Sequence, residues 1–189
     1  MSKRFPIPEF DRDQFKNRAW TAPVLLDAAG QQRLKDAARR GEASAYGAHA
    51  VALDAALATR FKFEGAHLHA VLCVLPHAPV RMVGRSWAWW VQRALVLDSL
   101  DAAGAQVLAD WTTPRPMNTR LGPDEGIGLK GGPVYVLFGH RYGDHWITNR
   151  TLAAPGGAAG GPGFSVLSAS GDDNNDFHAC NLAFAWAGG

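Results

Sequence analysis

The sequence predicts a mainly β protein: an antiparallel, jelly-roll-like β-sandwich preceded by an N-terminal arm and one or two short helices. Three observations carry that reading. From Phe61 onward, short apolar runs recur between Gly, Pro and Asp. The chain holds 21 glycines and 11 prolines, which demand many turns. The segment Phe177–Trp186 alternates strictly, with His178, Cys180, Leu182, Phe184 and Trp186 on one face. At 189 residues the length fits one domain with an extension. We place the arm and helical segment at 1–60 and the sandwich at 61–189.

Taken in order, Phe5, Ile7, Phe10, Phe15 and Trp20 are spaced by charges and prolines, the pattern of an extended arm that docks its aromatics. Gln31–Arg40 has helix-forming composition and Gly41 is its stop. A second helix is expected over Ser44–Thr59, where Val51, Ala55 and Ala58 recur at helical spacing. Leu26–Leu34 contains an Asp-Ala-Ala-Gly phrase that recurs at Asp101–Gly104, so Val24–Leu34 also reads as a hairpin. The expected strands are His67–Leu75, Val80–Val83, Ser86–Leu97, Ala105–Trp111, Val134–Phe138, His145–Asn149, Phe164–Ser168 and Phe177–Trp186. Leu97–Leu108 reads as a hairpin with Asp101–Gly104 in its turn. Ala153–Gly163 reads as a flexible low-complexity loop.

Composition excludes several classes. With 47% hydrophobic and 19% charged residues the chain is neither disordered nor a coiled coil. A net charge of +2 gives no reason to expect nucleic acid or an anionic membrane as the main partner. Met1–Phe10 is basic but lacks the apolar core of a secretory leader. The longest apolar run, Ala70–Leu75, falls far short of the ~20 residues of a membrane helix. No signal peptide or transmembrane segment is therefore expected, and the expected location is the cytoplasm or release by a non-classical route. Cys73 and Cys180 are expected to be reduced and buried, and the Asn149-Arg-Thr151 sequon to be chance.

Five constellations could carry chemistry. Gly126-Ile-Gly-Leu-Lys-Gly131 matches a dinucleotide fingerprint, but a strand rather than a helix follows it, so it reads as a glycine-rich turn. His67 and His69 share a strand face and read as half-buried or edge histidines; alternatively His77, His140 or His145 could complete a metal site with them. Trp87, Trp89 and Trp90 read as core packing; on an open face they would form a platform for sugar C–H faces or a lipid interface. Gly139–Trp146, between two expected strands, reads as a surface hairpin or as a loop whose His140, Arg141, Tyr142, Asp144 and Trp146 suit a polar ligand. Asp172, Asp173, Asn174 and Asp176 cluster oxygen donors, and Asp172, Asn174 and Asp176 have the alternating spacing of calcium loops, although an acidic turn closing a hairpin needs no metal.

The tail Ser168–Gly189, with its Asp/Asn-rich loop, Phe177, alternating strand, Trp186 and terminal glycine, resembles the C-terminus of small bacterial calcium-dependent fucose/mannose-binding lectins. The resemblance covers about 22 residues. It implies a β-sandwich that ends in an acidic calcium loop. Asn174 and Asp176 fall where that family uses carboxylates to hold two calcium ions, and Gly189 where its terminal carboxylate joins them. Ser170 stands in place of the family's glutamate, and His178-Ala179 in place of its Asn-Asp pair.

The expected function is a non-enzymatic, lectin-like recognition module for carbohydrate, with calcium as its one candidate cofactor. No G-x-S-x-G elbow or cysteine nucleophile motif is present. Two alternatives stand beside it. One is a structural or assembly protein (a phage, virion or secretion-associated subunit), homo-oligomeric through the arm. The other is a metal-dependent enzyme built on His67, His69 and His140 or His145. Exposed tryptophans would also suit a membrane-acting toxin.

Overall fold

The computed structural model describes residues 24–42, 46–155, 162–169, 177 and 179–187. The expected arm and the sequence's 170–176 loop lie outside the described residues.

Two short helices come first. Helix α1 spans Ala28–Arg39 and α2 spans Ala55–Arg60. The Asp27 carboxylate accepts from the Gly30 amide at 2.6 Å, and Asp54 accepts from Ala56 and Leu57 at 2.8 and 3.2 Å. Each thus satisfies amide donors that the first helical turn leaves open. The hairpin reading of Val24–Leu34 is overturned. The same Asp-Ala-Ala-Gly phrase starts a helix where Gln-Gln-Arg-Leu-Lys follows it. It forms the turn of a hairpin at Asp101–Gly104, where Val107 and Leu108 follow.

The strands are β1 Gly47–Ala52, β2 Phe63–Glu64, β3 His69–Leu75, β4 Val80–Ser86, β5 Gln92–Leu97, β6 Val107–Thr112 and β7 Arg120–Leu121. They continue as β8 Ile127–Leu129, β9 Gly132–Tyr142, β10 His145–Thr148, β11 Arg150–Pro155, β12 Gly163–Ala169 and β13 Cys180–Trp186. One sheet runs β1-β3-β9-β10-β2, with β5 also on β9 and β6 on β5; the other runs β11-β12-β13-β4-β7, with β8 on β4. Named strand pairs are antiparallel except β2–β10. The fold is a β-sandwich, as the sequence predicts.

Three local expectations are corrected and one is resolved. The second helix is only α2, because Gly47–Ala52 pairs with β3 from Val74 to His69. Long-range pairing overrides the helical spacing there until the Asp54 cap restarts a helix. Ser86–Leu97 is not one strand: β4 ends at Ser86 and β5 begins at Gln92, with the tryptophans between them. Gly139–Trp146 is the surface hairpin of that reading: β9 runs to Tyr142, β10 starts at His145 and the two pair antiparallel. Residues 153–155 belong to β11, paired with β12, so the low-complexity composition does not prevent strand pairing there.

Two cores flank the first sheet. The inner core, between the sheets, holds Val71, Cys73, Val96, Val136, Val166, Leu182 and Phe184. The outer core holds Leu57, Leu72, Leu95, Leu97 and Leu137, packed with residues of α1 such as Leu34. The first sheet is thus the middle layer, and every residue of β3 is buried. Cys73 and Cys180 are free thiols in the inner core, and burial pushes both thiol pKa values up. The glycine-rich motif is a packing device. A Cβ on Gly126 would lie 2.2 Å from the Met82 carbonyl oxygen, and one on Gly131 2.1 Å from that of Pro76.

Candidate functional site

A charge sits inside the apolar strand β5. Along Gln92-Arg-Ala-Leu-Val-Leu97, Ala94 and Val96 point to the inner core, while Leu95 and Leu97 point to the outer one. Alternation puts Arg93 on the outer side, where it is only 8% exposed. A buried cation must be paired. Its Nε and Nη2 donate to the two carboxylate oxygens of Asp110 on β6, both at 2.8 Å. Nη1 donates to the Phe61 carbonyl at 2.9 Å. The guanidinium also lies 5.4 Å from the ring centroids of both Phe63 and Trp146. This fork fixes the orientation of the Asp110 carboxylate, whose side chain keeps 41% of its surface open.

The fork and Trp146 line an open cleft of about 480 Å³, with Arg60, Lys62 and Thr112 also on its walls. Trp146 is held by pairing beside Phe63 and by its amide, which donates to the Lys62 carbonyl at 2.9 Å. Lys62 follows the C-terminus of α2 with φ at +58°, the left-handed region. Helices usually place glycine there, and a side chain with a Cβ costs about 1–2 kcal/mol. The cleft therefore offers a locked carboxylate acceptor, cationic donors, a hydroxyl and an indole side by side. That set matches a ligand rich in hydroxyls with an apolar C–H face.

Of the residues expected to bind ligand, Trp146 is in this cleft and the sheet keeps His140 from it. His140 is buried on the inner side, and its Nδ1 donates to the Asn149 side-chain oxygen at 2.8 Å. The Asn149 amide donates to Gln92 at 2.9 Å and to the Ser168 hydroxyl at 3.2 Å, joining the two sheets. The Trp90 ring lies 6.3 Å from His140. Arg141 is the cross-strand partner of Trp146, and Tyr142 that of His145. Arg141, Tyr142 and Asp144 are exposed.

The tryptophan loop corrects the core-packing expectation. Trp89 and Trp90 are 73% and 47% exposed, and Met117, whose amide donates to Ala88, is 61% exposed. The histidines of the sheets are buried or partly exposed and do not gather as one cluster. His69 Nε2 meets the Thr151 hydroxyl at 2.8 Å across the sandwich, and His145 pairs with Glu64 at 3.1 Å. Among the described residues no three His, Cys, Asp or Glu side chains gather as metal ligands. Asp172, Asp173, Asn174 and Asp176 lie outside the described residues. The strand after them is anchored through Ala179, whose amide donates to Ser168 and whose carbonyl accepts from the Ser86 hydroxyl at 2.6 Å.

Arg93 and Asp110 are the site residues that sequence reading missed. For Arg93 the signal was present, since a charge inside an otherwise apolar strand calls for a partner; that the partner is Asp110 follows only from the β5–β6 register.

No family model and no curated protein match the chain. Among solved structures it is similar to the Chromobacterium violaceum lectin CV2L, determined in complex with alpha-methyl-fucoside. Identity is 15% and the TM-score 0.42, over 62% of this chain and 96% of that one. A likeness of that strength assigns neither family nor ligand.

Proposed function

We propose that this protein is a non-enzymatic recognition module that binds carbohydrate in the cleft beside Trp146. The observation that carries the reading is the Asp110 carboxylate, locked by the Arg93 fork and open to solvent beside an indole. A carboxylate held in one orientation accepts from sugar hydroxyls with little ordering cost. An aromatic face covers the C–H side of the ring, and an open cleft admits the end of a longer glycan.

A glycan array in calcium buffer, repeated in EDTA, tests the proposal. Binding at the cleft persists in EDTA. It weakens about tenfold in Trp146→Ala and at least as much in Asp110→Asn. A calcium site at Asp172, Asp173, Asn174 and Asp176 is proposed on donor spacing alone, and binding lost in EDTA would move the sugar there. No binding in either buffer overturns the carbohydrate reading.

A second reading, a subunit that assembles with copies of itself, is favoured by the exposed group of Trp89, Trp90 and Met117. It predicts an oligomer by light scattering that Trp89→Ser with Trp90→Ser disperses. A monomer at high concentration removes it.

A further inference from the structure

We infer that the cleft beside Trp146 selects acidic saccharides, glycans that carry a carboxylate or a sulfate. The inference rests on the carbohydrate reading of the same cleft and adds the charge of the ligand. Three cations line the cleft, Arg60, Lys62 and Arg93, against one carboxylate, Asp110. Arg93 and Asp110 neutralise each other through their two 2.8 Å bonds. Arg60 and Lys62 are left over. Arg60 donates to the Ala102 carbonyl at 2.9 Å and lies 4.8 Å over the Phe61 ring. Among the described residues no carboxylate forms an ion pair with either cation, and the Glu64 carboxylate instead meets the His145 ring at 3.1 Å.

The backbone of Lys62 is the second observation. Its φ of +58° is one that glycine adopts without strain, yet an ammonium-bearing side chain occupies it at the wall of the cleft. A basic residue beyond a helix also offsets the helix's terminal carbonyls. Helix α2 has only six residues, and Arg60 already stands in its last turn. Strain kept at a ligand-sized cleft points to use by a ligand. A negative group on the sugar would meet Lys62 and Arg60 while its hydroxyls meet Asp110.

The test is an array of matched pairs, each acidic glycan beside its carboxyl-reduced or desulfated counterpart, at 0.1 M and 1 M NaCl. The acidic member binds about tenfold better at 0.1 M. The preference collapses at 1 M, where the Debye length shrinks to about 3 Å. Lys62→Gly keeps or raises the melting temperature and loses most of the acidic preference, weakening the acidic member far more than its neutral counterpart. Lys62→Arg retains the preference. Equal binding to both members, or a preference untouched in Lys62→Gly combined with Arg60→Gln, overturns the inference and leaves the carbohydrate reading standing. Inorganic sulfate that competes as well as the glycan also overturns it, since the site would then take small anions. Binding to no glycan overturns both.

Discussion

Arg93 shows how one residue serves the fold and the site together. Its side chain is 10% exposed, and its charge is met on one edge by Asp110 and on another by the Phe61 carbonyl. Removing Asp110 orphans that charge, so Asp110→Ala lowers stability by about 2 kcal/mol. The figure sits below that for fully buried pairs because the carboxylate is partly solvated. Replacing both partners removes the orphan. The double variant Arg93→Met/Asp110→Ala therefore recovers more than half of the loss in a denaturant titration. If the double variant were as unstable as the single one, the fork would not be what holds this corner. Arg93 could have been singled out from sequence, as a charge in Gln92-Arg-Ala-Leu-Val-Leu97. Its partner could not, because which strand lies beside β5, and in which register, depends on the hairpin as a whole. Trp146 was legible as a candidate. That it shares a cleft with Asp110 rather than with His140 depends on strand alternation within the hairpin.

Whole elements were legible where their own alternation faces one core. Strand β13 is the clearest case, with Cys180, Leu182 and Phe184 in the inner core as its pattern requires. Strand β1 was not, because Gly-Ala-His-Ala-Val-Ala carries helical composition and becomes a strand only by pairing with β3. The tryptophan loop failed for the opposite reason: local alternation suggested a strand where the chain is crossing from one sheet to the other. Polar groups are also buried between the two sheets, and His69 on β3 with Thr151 on β11 is one such clamp. Burial lowers the pKa of His69, and also that of His49 beneath α1, from 6.5. The unfolded chain then takes up protons at a pH where the folded chain does not. Stability is intact above about pH 6.5 and falls below it until the lowered folded values are reached, with His69 contributing at most about 1.4 kcal/mol per pH unit. His69→Gln keeps a hydrogen-bonding group and flattens this acid limb. Melting curves between pH 7.5 and 5 check it, and an unchanged slope in the variant would show that other groups set the acid sensitivity.

At the scale of the molecule, the question is whether the helical layer and the sandwich are one folding unit. The first sheet belongs to both. Leu72 on β3 faces α1 and α2, whereas Val71 and Cys73 face the second sheet, so neither core can open without stripping one side of the same strand. Strand β1 strengthens the tie, because it lies before residue 61 in sequence yet pairs with β3 along its whole length. Truncations in either core should therefore act on a single transition. Leu57→Ala in the outer core removes a fully buried side chain and costs about 2–4 kcal/mol; Val166→Ala in the inner core costs about 1–3 kcal/mol. For a chain of this length each kcal/mol lowers the melting temperature by about 2–4 °C. The two sides each hold a tryptophan, Trp146 packed against the outer core and Trp111 against the inner one, and variants that keep only one of the seven tryptophans read each side separately. The expected outcome is that tryptophan fluorescence and far-ultraviolet circular dichroism trace the same curve in the parent and in both variants, with only the midpoint displaced. An early separate step in Leu57→Ala, seen in the helical signal and in Trp146 while Trp111 stays native, would instead make the layer over the outer face an independent unit. The cleft between Arg60, Lys62 and Trp146 would then open and close with that layer, and glycan binding would be lost at the first step rather than at global unfolding.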